Sequence, residues 1–213
     1  MGNLVVQQFV SADGFAANAD NSLTLFDDFD GDTDEFHRSN LQWLDSVGLI
    51  VLGKNTYEMF AEYWPTEESA GEAVAEKLNA LPKVVFSTTL ETAPWGDGKY
   101  ADVAIESGGP DGLVHAITRL ANDYRGDIVV WGSIDLTYGL FEAGLVDEVR
   151  IVVLPMVTGA GRSVFPPISG VLRLRLVSNH RFDSGIVELV YAVENLDQSV
   201  ADSATAQLSR TGS

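Results

Sequence analysis

Short apolar runs of strand character recur along this chain, and stretches whose apolar residues fall at helical spacing separate most of them. Such alternation restricts the fold to an α/β sheet with helices packed on its faces. Segments 4–10, 49–52, 84–86, 103–105 and 128–131 read as strands. Helices are expected from Thr33-Asp34-Glu35 onward (with Phe36, Leu41 and Leu44 inward), over 56–63 and over 69–81. Two more are expected around Leu113, Ile117, Leu120 and Tyr124 and around Leu136, Leu140 and Phe141, the latter stopping at Gly144. The last third changes character. Segments 149–157, 172–182 and 186–193 are long and strand-like, and Asp183-Ser184-Gly185 reads as a hairpin turn. The expected architecture has three layers: a central mixed β-sheet flanked by helices, ending in an antiparallel C-terminal hairpin. Residues 1–194 are expected to form one domain, and the polar stretch from Asn195 reads as a disordered tail. The Asp/Asn/Gly-rich stretch 11–32 reads as a long loop of the kind that often carries function.

Composition narrows the function. The 213 residues, 46% hydrophobic, suffice for a full core. The absence of cysteine excludes a disulfide framework, a zinc-thiolate site and a cysteine nucleophile. A net charge of −18 disfavours nucleic-acid binding. No apolar run approaches the ~18 residues of a membrane span, and the N-terminal residues carry no signal-peptide pattern. A cytoplasmic location is expected. His37, His115 and His180 are scattered and read as solvated or structural, so no metal site is expected. The acidic run from Asp27 to Glu35 reads as a solvated loop without an EF-hand pattern.

Ligands of open α/β sheets bind at the C-terminal ends of strands, and three such ends stand out. In Gly53-Lys54-Asn55-Thr56, the glycine permits a tight exit and the following helix offers free N–H groups. A lysine charge and a hydroxyl complete the parts of a phosphate site. The plain alternative is a strand–helix junction capped by Thr56. In Trp131-Gly132-Ser133-Ile134, Gly132 lets a pyrophosphate approach the backbone, although glycine also ends strands for steric reasons alone. Neither stretch is a G-x-G-x-x-G or G-x-x-x-x-G-K-[ST] loop. Ser87 and Thr88 offer hydroxyls to a ribose phosphate, or simply make a turn.

In order, these pieces resemble the dihydrofolate reductase superfamily, and most closely the C-terminal reductase domain of the riboflavin-pathway deaminase–reductase. The carriers are Ser11-Ala12-Asp13-Gly14-Phe15-Ala16-Ala17, Gly53-Lys54-Asn55-Thr56-Tyr57-Glu58, Trp131-Gly132-Ser133 and Gly144-Leu145-Val146-Asp147-Glu148, followed by the run from Pro155 to Phe165. The resemblance implies an NADPH-dependent oxidoreductase that transfers a hydride to a small heterocyclic or sugar-amine substrate. The reference reaction is reduction of 5-amino-6-(5-phosphoribosylamino)uracil, and a paralogue with another substrate fits equally. A non-catalytic NADPH-binding or sensing protein on the same fold is the alternative.

By the same resemblance, Gly53, Lys54 and Thr56 hold cofactor phosphates. Ser87 and Thr88 lie near the adenosine 2′-phosphate, and Gly132, Ser133 and Ile134 lie along the pyrophosphate. Asp13 and Gly14 stand near the nicotinamide, with Asp13 either a proton donor or a shaper of its own loop. A homodimer through the C-terminal strands is implied as well. Two departures concern the substrate. Gln7 stands where the riboflavin reductases carry a lysine, and Leu44 falls close to their arginine. The spacing from Asp34 and Glu35 to Gly53 does not match the acidic residue of the folate enzymes, and the deaminase zinc motif has no cysteines here.

Overall fold

The computed structural model describes residues 2–18, 29, 31–108, 112–167 and 171–194. Its strands are β1 (Leu4–Ser11), β2 (Phe15–Ala17), β3 (Val47–Gly53), β4 (Lys83–Phe86), β5 (Ala104–Glu106), β6 (Asp127–Trp131), β7 (Glu148–Leu154), β8 (Arg162–Ser163), β9 (Arg173–Arg181) and β10 (Val187–Glu194). The helices are α1 (Asp34–Trp43), α2 (Lys54–Tyr63), α3 (Ala75–Ala80), α4 (Gly112–Asp123) and α5 (Ile134–Glu142). Eight strands form one sheet in the order β5-β4-β3-β6-β1-β7-β10-β9. Neighbours from β5 through β7 are parallel, whereas β7–β10 and β10–β9 are antiparallel. The mixed sheet with a terminal hairpin is therefore the architecture the sequence led us to expect.

Two-sided burial explains the uninterrupted run Leu49-Ile50-Val51-Leu52. Successive side chains point to opposite faces of a strand. Leu49 and Val51 pack with Ile117, Leu120 and Leu140 from α4 and α5. Ile50 and Leu52 pack with Leu44, Tyr57 and Leu78, on the face covered by α1, α2 and α3. All four are fully buried, and each such burial contributes roughly 1.5–3 kcal/mol. A central parallel strand has no wet face, so polar alternation is absent.

Several local expectations are corrected. The helix expected over 69–81 is broken into a 3₁₀ turn (Glu67–Ser69) and the short α3. Ser69 Oγ donates to the carbonyls of Trp64 (2.6 Å) and Thr66 (3.2 Å), satisfying groups that a continuing helix would use. Gly71 then weakens the next turn. Inside the expected loop 11–32, β2 pairs antiparallel with β8; residues 19–28 and 30 lie outside the described residues, as does the tail from Asn195. Helix α2 begins at Lys54, not Thr56, so Thr56 is a buried residue of the first turn rather than its cap. At the start of α1 it is Asp32 Oδ1, not the Thr33 side chain, that accepts the Asp34 N–H (2.8 Å).

One polar network crosses the α1 face of the sheet. Trp131 Nε1 donates to Gln7 Oε1 (2.7 Å), and Gln7 Nε2 donates to Asn40 Oδ1 (3.1 Å) and Glu188 Oε1 (3.4 Å). Arg150 closes it, donating from Nε and Nη2 to the two Glu188 oxygens (3.2 and 3.3 Å) with its guanidinium 4.2 Å above the Trp43 ring. Gln7 and Arg150 face each other in the β1–β7 register. Gln7 is thereby held in one orientation by partners on three elements, β6, α1 and β10.

Candidate active site

The fold brings the C-terminal ends of β1, β3 and β6 together at the point where the chain's course across the sheet reverses. Gly53 ends β3 and Gly132 follows β6, and the Gly53 N–H donates to the Gly132 carbonyl (3.1 Å). The approach is so close that neither position admits a side chain. A Cβ on Gly53 would stand 2.5 Å from Ser133 Oγ; one on Gly132 would stand 2.4 Å from Thr56 Oγ1, and Gly132 has φ +57°.

Two cavities open from this junction. The smaller, about 350 Å³, is lined by Gly53, Lys54, Ser87, Thr88, Ser133 and Asp135, among others. Helices α2 and α5 both start at it, preceded by Gly53 and Ser133, and neither start has a side-chain cap. Their first N–H groups therefore lack intrahelical acceptors and favour an anion. Lys54 adds a half-exposed ammonium 3.5 Å from Glu58. The carboxylates nearby are engaged: Asp135 accepts from Arg162 (2.6 Å) and Glu106 pairs with Arg119. Ser87 Oγ also accepts from the N–H groups of Thr89 and Leu90 (both 3.1 Å), so this hydroxyl shapes a turn while facing the cavity.

The larger cavity, about 590 Å³, lies between β1, α1 and α2 and includes Thr56, Gly132, Ser133 and Ile134. Aromatic side chains wall it, and Gln7 and Leu44 line it at the positions noted in the sequence. Gln8 also lines it, and its buried Oε1 has no partner among the described residues. His37, Glu72 and Tyr63 form its polar side. None of the three was singled out as functional from sequence. His37 was read as solvated or structural; it lines the cavity, with Nδ1 2.5 Å from Glu72 Oε2.

Asp13 and Gly14 line neither cavity. Asp13 accepts from Ser11 Oγ (2.6 Å), Gly159 N–H (2.8 Å) and Thr158 N–H (3.2 Å), tying the turn after β1 to the segment after β7. The Ser11 hydroxyl above all, then these backbone donors, holds its carboxyl below the usual carboxylate range. Of the two roles read for Asp13, these contacts match loop shaping. His115 lies on α4 and His180 on β9, and Asp34 and Glu35 stand outside both cavities. Glu35 accepts the Asp183 N–H at the hairpin turn (2.9 Å).

Sheet order, the glycine junction and the paired cavities define a dihydrofolate-reductase-like α/β protein. Residues 3–188 match the RibD C-terminal domain model. The chain belongs to that family. Among curated proteins it is 24% identical over 192 residues to uncharacterized protein YyaP of Bacillus subtilis, covering 88% of this chain and 93% of that one. Among solved structures, a putative riboflavin biosynthesis protein from Shewanella superposes with a TM-score of 0.65 at 18% identity, covering 91% and 99% of the two chains. Dihydrofolate reductase from Enterococcus faecalis, solved with NADP(H), superposes with a TM-score of 0.55 at 16% identity over 91% and 98%. Family and fold support a reductase-type function. Among the described residues, no helix is long and apolar enough to cross a membrane.

Proposed function

We propose that this protein is an NADPH-dependent reductase acting on a small heterocyclic or sugar-amine substrate, with residues 1–194 as its catalytic domain. One observation carries the reading: two uncapped helix N-termini and Lys54 converge on a cavity that shares Ser133 and Asp135 with a larger aromatic one. This donor set fits a dinucleotide. Gly53, Lys54 and Ser133 would hold its phosphates, Ser87 and Thr88 would face the 2′-phosphate, and Gly132 and Ile134 would lead to the larger cavity. The reduced nicotinamide supplies the hydride when bound. The chain's own part is to orient, through the N–H groups of α2 and α5, and to exclude water with the aromatic walls.

Tryptophan quenching during titration with NADPH, and separately with NADH, tests this directly, because Trp131 adjoins Gly132. Saturable NADPH binding is expected, with Lys54→Ala weakening it about tenfold (~1.4 kcal/mol). Binding of neither nucleotide would end the reductase reading. NADPH binding without turnover of any heterocycle would favour a sensor.

We also propose a homodimer through the terminal hairpin. Strand β9 is the sheet edge, and its Leu176 and Val177 are 49% and 53% exposed. A sheet edge with unpaired backbone groups and two exposed apolar side chains invites pairing with a second copy. Sedimentation equilibrium should give a dimer that Val177→Lys converts to monomer; a wild-type monomer at micromolar concentration overturns this.

A further inference from the structure

The larger cavity holds a polar cluster that the cofactor reading leaves unused. Glu72 stands between α2 and α3 with both oxygens engaged: Tyr63 Oη donates to Oε1 (3.1 Å), and His37 Nδ1 lies 2.5 Å from Oε2. His37 and Glu72 side chains are only 16% and 23% exposed. In the neutral form of the ring, with Nδ1–H given to the carboxylate, Nε2 of His37 is an acceptor. Nε2 has no partner among the described residues. Phe60, Trp64 and Trp131 line the same cavity, aromatic surfaces suited to stacking on a flat ring.

The charges of this cavity are unsuited to a phosphate. Its lining carboxylates are Glu72 and Asp135, and its lining cation among the described residues is Arg162, which is committed to Asp135. Gln7 is fixed by Trp131, Asn40 and Glu188, and Leu44 is apolar and buried. A phosphate dianion brought here meets like charge in a partly dehydrated space, which is strongly unfavourable.

We propose that this cavity selects an unphosphorylated, flat substrate whose N–H-bearing edge is read by the His37–Glu72 pair. That departs from the phosphorylated substrate of the reference reaction, and it rests on the reductase reading in taking this cavity as the substrate's. His37 touches the ligand, Glu72 holds His37 and sets the sign of the local field, and Tyr63 positions Glu72.

The test is calorimetric titration of the full chain, without NADPH, using two probes of similar size. 2-Aminobenzimidazole is flat and rich in N–H groups; phenyl phosphate is flat and anionic. The first is expected to bind at least about tenfold more tightly. His37→Phe and Glu72→Gln keep ring or shape, and each is expected to weaken it by about tenfold, with Glu72→Gln also narrowing the gap to phenyl phosphate. Tyr63→Phe, which retains the ring, should give a smaller loss and guards against misfolding of the other two. Equal or tighter binding of phenyl phosphate overturns the proposal. So does failure of 2-aminobenzimidazole to bind, or binding indifferent to both His37→Phe and Glu72→Gln. Because NADPH is titrated separately, a protein that discriminates the probes but ignores NADPH keeps the selectivity and loses the reductase.

Discussion

Alanine in place of Gly132 is expected to cost about 3 kcal/mol of stability and to abolish dinucleotide binding. Two effects add. A non-glycine residue at φ +57° pays roughly 1–2 kcal/mol of backbone strain. The new Cβ, placed 2.4 Å from Thr56 Oγ1, must also push α2 away from β6, at a typical overpacking cost of about 1–3 kcal/mol. Gly98 is the internal control. Its φ is +93°, and nothing lies within 4 Å of an added Cβ, so Gly98→Ala carries the backbone part alone. Thermal unfolding should show Gly132→Ala lowered by about 6–12 °C and Gly98→Ala by clearly less. Equal shifts would mean that the close approach of the two strand ends is not what requires glycine there.

Replacing Arg150 with methionine is expected to destabilise the fold by about 3 kcal/mol, because it leaves a buried carboxylate without its cation and with only the long Gln7 hydrogen bond (3.4 Å). Glu188 is 5% exposed, and its two oxygens accept from Arg150. Methionine preserves much of the packing over Trp43, so the loss reports charge more than shape. The double variant Arg150→Met, Glu188→Leu removes both charges, and replacing a buried pair with apolar groups is often neutral. It should recover most of the lost stability in urea titrations. Simple additivity of the two single losses would show that the pair does not act as one unit.

The order of elements was legible because parallel strands buried on both faces appear as short, unbroken apolar runs, as in Leu49-Ile50-Val51-Leu52. The glycine junction was legible too, since Gly53-Lys54-Asn55-Thr56 and Trp131-Gly132-Ser133 carry their signal within a few residues. What escaped is what depends on residues distant in the chain. Gln7 meets Asn40, Trp131 and Glu188 across separations of 33, 124 and 181 residues, and no local pattern announces such meetings. His37 and Glu72 are 35 residues apart, and Glu72 lies in a stretch whose helical periodicity hid the break made by Ser69 and Gly71. Strand β2 escaped because three residues are too few to show alternation. Its existence depends on β8, more than 140 residues on.

Ser133 and Asp135 line both cavities, so the two halves of the site are not equally free to vary. A substitution there alters the nucleotide side and the substrate side together, and each gain on one must survive a test on the other. The remote wall, built by α1, the far turn of α2 and the Glu72 segment, touches only the larger cavity. Changes of substrate within this scaffold should therefore accumulate on that wall, leaving the junction as inherited hardware. An engineer seeking a new specificity would randomise His37, Asn40, Leu44, Tyr63 and Glu72, and leave residues 132–135 alone.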